Sequence, residues 1–267
     1  MLMSKLSLIF QIIKKSIFKP RLMLELAEEK SEIKDDEKFR KHEYDFDFES
    51  INDFFKQKYT DVNIRKFEAE LNEIDNMVEE FFSKLKDKEY PSKEMPYPID
   101  YSISSDSRKF LYILCRITKP RNVIETGVAY GLSSFYILSA LNRNEYGKLT
   151  SIDSVFRPWQ SEEMIGSIIP KNLRSKWKLV LGKSNEKLLD EFKKIENVDI
   201  FVHDSLHSYK NMTFEFNCAI NNIKNNGIII SDDILDNDAF YDFIKNKEIM
   251  NSVIKVENKG LGFIQKN

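Results

Sequence analysis

The sequence predicts an α/β protein: a doubly wound, mostly parallel sheet of seven strands with an antiparallel last strand, preceded by a helical extension. From Ser104 onward, short apolar stretches alternate with helical patterns, which is typical of parallel strands joined by helical crossovers. The last two apolar stretches, residues 252–256 and 262–265, are separated by five residues. That gap is too short for a helical crossover, so we expect this final pair to be antiparallel.

The distribution of glycine and proline divides the chain into two parts. All eight glycines lie at or after Gly127, and three prolines fall between Pro91 and Pro98. Because both residue types mark turns, this shift separates a helical part from a turn-rich part. We expect a helical N-terminal extension over residues 1–95 and a Rossmann-like domain over residues 96–267.

Residues 1–21 are the first element of the extension. They carry five basic side chains and no acid, and their apolar residues recur on one helical face. This pattern predicts a basic amphipathic helix. Such a helix lies on a membrane surface, or it packs on the rest of the protein or on a partner chain.

An acidic segment and a long helix complete the extension. Apolar residues from Ile64 to Leu85 recur at alternating steps of three and four, and Asp61 is the expected N-cap. This apolar seam covers only about three heptads. It therefore favours a helix that packs on its own domain, and the alternative is a coiled coil in a homodimer. Residues 44–48 alternate between aromatic and acidic side chains, which fits a strand or an irregular loop equally well.

The domain begins with a helix near residues 108–117. Strand patterns then follow near residues 122–126, 149–153, 178–181, 199–203 and 227–231. Helical patterns separate most of these strands, as a doubly wound sheet requires.

Composition limits the class of function. The 41 basic and 43 acidic side chains nearly cancel, so no charge excess indicates nucleic-acid binding. No apolar run reaches the roughly 18 residues of a spanning helix. Cys115 and Cys218 are far apart in apolar, helix-like contexts, which favours buried thiols and a reducing, cytoplasmic compartment. The basic helix at residues 1–21 adds the alternative of peripheral membrane association.

Polar residues follow the strands where a ligand would bind. In an open parallel sheet the ligand lies beyond the carboxyl ends of the strands. These ends carry, in order, Glu125 with Gly127 and Gly131, then Asp153, a turn at residues 182–184, Asp204, and Asp232 with Asp233. The acids would repel one another unless a ligand or a cation compensated their charge. The pattern therefore indicates an enzyme.

The turn after the first of these strands distinguishes between nucleotide ligands. A pyrophosphate-binding turn has the pattern G-x-G-x-x-G, whose middle glycine lets the phosphate approach. Here three other residues separate Gly127 from Gly131. Asp153 lies 26 residues after Gly127, where an acid accepts hydrogen bonds from ribose hydroxyls. A nucleoside without a pyrophosphate fits best, and a nicotinamide-dependent oxidoreductase is the alternative.

Together these motifs resemble those of class I S-adenosylmethionine-dependent methyltransferases. Residues 203–209 and 231–233 also resemble the metal-dependent O-methyltransferases, in particular the branch that includes macrolide-sugar O-methyltransferases. The resemblance covers residues 101–266 and implies S-adenosylmethionine as the cofactor. It implies that Glu125, Gly127 and Ser133 line the methionine end, Asp153 holds the ribose, and Ser184 lies near the adenine. We expect further cofactor contacts from Tyr130, Gly131 and Asp204.

The resemblance also implies one divalent cation, held by Asp204, Asp232 and Asp233. Three carboxylates suit Mg²⁺, with Mn²⁺ or Ca²⁺ as alternatives. His207 stands where relatives carry the catalytic base, which would take a proton from a hydroxyl of a small molecule or sugar. His203 precedes Asp204 and, by strand alternation, points away from it, so we expect a structural role for His203.

Each chemical interpretation has a simpler alternative. His207 would otherwise cap a helix that begins near Ser208, and Asp232 with Asp233 would otherwise form a solvated turn. The third class of function is a non-catalytic binding or scaffold protein in which the N-terminal helices do the work. Acids at four of the five expected strand ends argue against a decayed site.

Overall fold

The computed structural model describes residue 13 and residues 20–59, 62–98, 102–155, 157, 159–245, 249–257 and 259–267. The helices are α1 (Pro20–Phe39), α2 (Ile51–Lys58), α3 (Glu68–Leu85), α4 (Ser105–Thr118), α5 (Leu132–Arg143), α6 (Ser184–Lys194), α7 (Tyr209–Asn222) and α8 (Ala239–Lys245). The strands are β1 (Phe48–Glu49), β2 (Asn122–Thr126), β3 (Lys148–Asp153), β4 (Trp177–Leu181), β5 (Ile200–His203), β6 (Ile228–Ser231), β7 (Met250–Val256) and β8 (Lys259–Gln265).

These strands form one sheet in the order β1-β7-β8-β6-β5-β2-β3-β4. β8 is antiparallel to both of its neighbours, β6 and β7. The remaining pairs are parallel. The predicted α/β class with an antiparallel last strand is therefore confirmed. The parallel strands end at one edge of the sheet, so the polar residues that follow them are brought together there.

The described sheet has eight strands, one more than the seven predicted. The extra strand, β1, pairs in parallel with β7, and Phe48 lies opposite Val253. The alternating residues 44–48 therefore end in a strand of two residues. So short a strand is fixed by its partner near the other end of the chain, which a local pattern cannot specify.

The sheet is covered on both faces by apolar side chains. On one face, α4 and α5 bury residues such as Phe110, Leu114 and Phe135. On the other face, α7 and α8 bury residues such as Phe216 and Phe240. Successive strand residues serve opposite faces, which is why the strands read as continuous apolar runs.

The long helix α3 packs on its own domain. Leu71, Ile74 and Val78 are buried in the same core cluster as α4 and α5. Beside this seam, Arg116 of α4 donates hydrogen bonds to Glu70 at 3.1 and 3.2 Å. The expected N-cap, Asp61, lies outside the described residues; Asn63 caps the 3₁₀ turn that precedes α3 by accepting from the Arg65 N–H.

The acidic helix α1 lies at the carboxyl ends of the strands. Glu25 pairs with Lys183 at 3.1 Å, before α6, and Glu32 pairs with Lys210 at 3.0 Å, on α7. Asp36 accepts a hydrogen bond from the main-chain N–H of Tyr209 at 2.6 Å. These contacts position one face of α1 against the edge of the sheet where a ligand is expected.

Four further expectations concern features outside the sheet. The predicted basic helix at residues 1–21 lies outside the described residues, apart from Ile13, Pro20 and Arg21. Within the described ranges, no helix is both long enough and apolar enough to cross a membrane. Cys115 and Cys218 are buried, free thiols, as expected. The domain boundary at residue 95 stays a prediction.

Candidate active site

The turn between β2 and α5 needs glycine at two positions. Gly127 has a φ of +82°, and a β-carbon there would lie 1.9 Å from the carbonyl oxygen of Asp204. Gly131 has a φ of +92°, and its β-carbon would lie 2.7 Å from the α-carbon of Gly166. A side chain at either position would meet both backbone strain and main-chain atoms. The first glycine thus packs the turn against the loop that follows β5.

Asp153, the last residue of β3, holds the same turn. Its Oδ2 accepts hydrogen bonds from the main-chain N–H groups of Val128 (3.0 Å) and Ala129 (2.8 Å). Its Oδ1 accepts from the N–H of Ser154 at 2.6 Å. Burial raises the pKa of Asp153, although these donors favour its ionised form. The predicted ribose-binding acid is therefore fixed in orientation before any ligand arrives.

A cleft of about 560 Å³ opens beside this turn. Four of the predicted cofactor-binding residues line the cleft, namely Gly127, Asp153, Ser184 and Asp204. Ser184 begins α6, and its hydroxyl donates to the side-chain oxygen of Asn211 at 3.1 Å. The cleft therefore spans from the glycine turn to the end of β4, where the ribose and adenine of a nucleoside are expected.

The other four predicted cofactor residues lie away from this cleft. Tyr130 and Ser133 line a second, smaller pocket, and Gly131 packs on Gly166. Glu125 is fully buried beneath the turn, and its Oε2 accepts from the hydroxyl of Ser151 at 2.8 Å and from that of Ser134. Burial raises the pKa of Glu125, and its Oε1 has no hydrogen-bond partner in the described structure.

The second pocket, of about 170 Å³, contains the residues predicted to bind metal and to act as base. It is lined by Tyr130, Ser133, Asp204, His207, Asp232, Asp233 and Lys259, among others. It shares Val128, Ala129, Asp204 and Ser205 with the large cleft. The two cavities therefore meet at the glycine turn and Asp204.

The acids of the small pocket repel one another. Burial, with the charges of Asp232 and Asp233, raises the pKa of Asp204 well above its usual value. Burial and the charge of Asp233 raise the pKa of Asp232 to about 7. Lys259 donates a hydrogen bond to Oδ1 of Asp233. Three carboxylates against one lysine leave an excess of negative charge, and this donor set fits a bound divalent cation.

His207 lies between two of these carboxylates. Its Nε2 is 3.9 Å from Oδ1 of Asp204, and its Nδ1 is 3.5 Å from Oδ2 of Asp233. Its Nε2 is buried without a hydrogen-bond partner in the described structure. Burial lowers the pKa of His207 to about 4, so the imidazole is neutral at physiological pH and can accept a proton.

The side chains that are best spaced to share one ion differ from the predicted set. His207, Asp233 and Asp236 each offer a ligand atom, and these atoms lie within 4.8 Å of one another. Asp204 and Asp232 line the same pocket but do not belong to this group in the described structure. Asp233 is common to both sets and has a left-handed φ of +49°, as aspartate tolerates in a turn.

His203 is buried behind the small pocket and does not line it, and its expected orientation away from Asp204 stays a prediction. It is fully buried, and its Nδ1 lies 2.6 Å from Oε2 of Glu215. Its ring packs edge-on against that of His207, with 5.3 Å between the ring centroids.

Sequence reasoning missed three contributors to the site: the acidic face of α1, Asp236 and Lys259. The cleft is lined on the α1 side by Glu25, Glu28, Glu29 and Glu32. Their spacing of three and four residues places them on one helix face, which could have been read from the sequence. Lys259 begins β8 and has no local signal, because its place depends on the antiparallel pairing with β7.

Comparison with known proteins identifies the domain. Residues 124–234 match the family model described as a methyltransferase domain. No curated protein sequence matches the chain.

Solved structures of methyltransferases share the fold. An O-methyltransferase from Bacillus cereus, in complex with S-adenosylhomocysteine, has a TM-score of 0.51 at 16% identity, covering 80% of this chain and 95% of that one. The O-methyltransferase TomG from Streptomyces achromogenes, in complex with S-adenosylmethionine, has a TM-score of 0.53 at 15% identity, covering 80% and 95%. A methyltransferase from Geobacter sulfurreducens has a TM-score of 0.54 at 15% identity, covering 81% and 94%.

The fold is therefore that of the class I S-adenosylmethionine-dependent methyltransferases. Residues 124–234 are a methyltransferase domain, and they contain the glycine turn, Asp153, Ser184, Asp204 and His207.

Proposed function

We propose that the protein is an O-methyltransferase that transfers a methyl group from S-adenosylmethionine to a hydroxyl of a small molecule or sugar, assisted by a divalent cation, Mg²⁺. The observation that carries this proposal is the junction of the two cavities. The nucleoside-sized cleft and the pocket that contains His207 share Asp204 and the glycine-turn residues Val128 and Ala129. A reactive group bound in one cavity thus meets an acceptor bound in the other.

The cofactor-binding role is supported by the chemistry of the large cleft. Bound S-adenosylmethionine would supply an electrophilic methyl group on its sulfonium. Asp153 would bind the ribose, Ser184 would lie near the adenine, and Gly127 would let the main chain approach the ligand. Glu125 is buried beneath the same turn and lines neither cavity, so its contact with the methionine end stays a prediction. Two of the structures compared above contain this cofactor or its demethylated product.

His207 would act as the general base. Its neutral imidazole would accept the hydroxyl proton of the acceptor at Nε2, the nitrogen that lacks a partner. A positioned base of this kind contributes roughly 10²–10⁴ in rate. Holding acceptor and donor in line across the junction of the two cavities would contribute through proximity.

A divalent cation would bind at Asp204, Asp232 and Asp233, or at Asp233 with His207 and Asp236. When bound, it would lower the pKa of the acceptor hydroxyl and neutralise the carboxylates. Oxygen ligands predominate in both sets, which suits Mg²⁺. In the second set His207 would be a ligand, and it would then be unable to serve as the base, so the two sets imply different roles for the imidazole.

The remaining parts of the prediction concern partners and location. We propose a cytoplasmic enzyme, and contact of residues 1–21 with a membrane surface stays a prediction. A homodimer also stays a prediction, because the seam residues Leu71, Ile74 and Val78 are buried within one chain.

The test combines binding with turnover. Calorimetric titration of S-adenosylmethionine should show saturable binding, and a panel of hydroxylated small molecules and sugars should contain an acceptor whose methylation requires added Mg²⁺. Asp232→Ala, which removes one carboxylate from the small pocket and does not line the large cleft, should lose most of the Mg²⁺-dependent activity while cofactor affinity changes less than threefold. Full activity in excess chelator would exclude the metal-assisted mechanism. Binding of NADH without binding of S-adenosylmethionine would favour a nicotinamide oxidoreductase instead.

A further inference from the structure

One fully buried carboxylate, Glu215 on α7, lies behind both cavities and lines neither. Its Oε2 accepts a hydrogen bond from the hydroxyl of Thr126 at 2.5 Å and lies 2.6 Å from Nδ1 of His203. Its Oε1 accepts from the hydroxyl of Ser205 at 2.7 Å and from the side-chain amide of Asn211 at 3.2 Å. Four donors use the full acceptor capacity of one carboxylate.

These four donors come from separate segments of the site. Thr126 ends β2 and directly precedes Gly127. His203 ends β5, and Ser205 lies in the loop that follows, so these two residues flank Asp204. Asn211 extends the network along α7, because its side-chain oxygen accepts from the hydroxyl of Ser184. One buried carboxylate therefore connects the glycine turn, the loop that contains Asp204, and the start of α6.

The charge state of Glu215 is suited to this task. Burial opposes its ionisation, but the charge and hydrogen bond of His203, together with the hydroxyl donors, lower the pKa of Glu215 to about 2. An ionised carboxylate makes stronger hydrogen bonds than a neutral acceptor, so the segments are held firmly. The Nε2 of His203 has no hydrogen-bond partner in the described structure, so Glu215 is the carboxylate that holds this ring.

We propose that Glu215 is a positioning residue, which fixes the cofactor cleft from behind by accepting hydrogen bonds from the ends of β2 and β5 and from α7 at once. The inference rests on the proposed function, since it assigns the cleft to S-adenosylmethionine. Glu215 touches neither cofactor nor substrate. It sets the distance between the glycine turn, Ser205 and Ser184, and it holds His203 against the ring of His207.

The test measures affinity for S-adenosylhomocysteine by calorimetry in three proteins. Glu215→Gln keeps the size of the side chain but replaces one carboxylate oxygen with an NH₂ group. That group then points its hydrogens at side chains that donate to Glu215 in the wild type. Glu191→Gln is the matched control: Glu191 is also a buried glutamate, held by Lys178 at 2.6 Å and Lys194 at 2.8 Å, and it does not line the cleft. We expect at least tenfold weaker binding for Glu215→Gln and a change below twofold for Glu191→Gln.

A spectroscopic readout separates positioning from general stability. The chain has only three histidines, so their ¹⁵N imidazole signals can be assigned with single variants. In the wild type we expect the Nδ1 signal of His203 to have the chemical shift of a ring nitrogen hydrogen-bonded to a carboxylate, because it lies 2.6 Å from Oε2 of Glu215. In folded Glu215→Gln this signal should shift, while Glu191→Gln should leave it unchanged.

Each outcome decides the matter. A folded Glu215→Gln protein that binds S-adenosylhomocysteine within twofold of the wild type would overturn the inference alone. A wild-type protein that binds neither S-adenosylhomocysteine nor S-adenosylmethionine would overturn the proposed function, and the inference with it.

A second variant serves if Glu215→Gln fails to fold. Thr126→Val removes one of the four donors to Glu215 without changing the size of the side chain, and Thr126 does not line the cleft. Affinity about threefold weaker would then support the inference, and unchanged affinity would contradict it.

Discussion

The main chain at Gly127 packs directly on the main chain of Asp204, and a β-carbon at position 127 would lie 1.9 Å from the Asp204 carbonyl oxygen. The contact joins the turn after β2 to the loop after β5. In the proposed function these two segments carry the cofactor and the cation, so their separation sets the reaction geometry.

Replacing Gly127 should therefore weaken cofactor binding by more than a general loss of stability would. Gly127→Ala is strained by its φ of +82° and must push the two segments apart. We expect at least tenfold weaker S-adenosylhomocysteine binding by calorimetry, together with a lower melting temperature. Gly147→Ala is the control, because it has a φ of +94° and a β-carbon 2.3 Å from the Pro120 carbonyl, and it does not line either cavity. Equal loss of affinity in both variants would mean that the effect is general destabilisation.

Asp153 should be required as a carboxylate. Asp153→Asn retains one acceptor but presents an amide to the N–H groups of Val128, Ala129 or Ser154. We expect cofactor affinity to fall by at least tenfold. Asp199→Asn is the matched control, since Asp199 also accepts from two main-chain N–H groups, of Arg121 and Asn122, at the opposite end of β2. Unchanged affinity in Asp153→Asn would remove Asp153 from the binding site.

The carboxylates of the small pocket should make the protein less stable as pH rises. A salt-bridged carboxylate has the opposite effect, because it stabilises the folded protein as pH rises. The pKa of Asp232 is about 7 in the folded protein and about 4 when unfolded, so the folded state binds the proton more tightly between these values. The free energy of unfolding should therefore fall as pH rises from about 4 to 7.

Asp232→Asn tests this directly. In chelator we expect the variant to be more stable than the wild type at about pH 8, and the two to be similar at about pH 4, in thermal melts. Added Mg²⁺ should stabilise the wild type more than the variant. A wild type whose stability rises across this range, as it does for a paired carboxylate, would contradict the assignment.

His207 should be needed for turnover and dispensable for cofactor binding. His207→Asn should lower the rate with an identified acceptor by roughly 10²–10⁴. His42→Gln is the control, because His42 also faces a carboxylate, Asp242 at 3.1 Å, but lines neither cavity. Because the pKa of His207 is lowered to about 4, the pH–rate profile of the wild type should show no loss of activity as pH falls through 6.5. Wild-type turnover in His207→Asn would leave the base unassigned.

The sequence predicted those features of the fold and site that depend on local pattern. Short apolar strands ending in Glu125, Asp153 and Asp204 identify a parallel sheet, because parallel strands end at one edge and their neighbours are set by helical crossovers. Gly127 was predictable because a turn that approaches another chain segment excludes a side chain.

The remaining features depend on contacts between distant segments. Glu215 stands on an apolar helix face beside Met212 and Phe216, a local conflict that could have drawn attention, but its partners lie on other strands. Lys259 reaches Asp233 only because β8 folds back between β6 and β7. The cleft-lining role of α1 likewise needs its pairing with Lys183 and Lys210, which no local pattern specifies.

The two-residue strand β1 has a practical consequence for work on shortened proteins. It covers the outer edge of β7, so removal of the N-terminal extension would leave main-chain donors and acceptors of Val253 and Ile254 open to solvent. An uncovered edge is a template for pairing with a second chain. Self-association in a protein trimmed past Glu49 would therefore reflect the cut itself, and native oligomeric state has to be measured on the full-length chain.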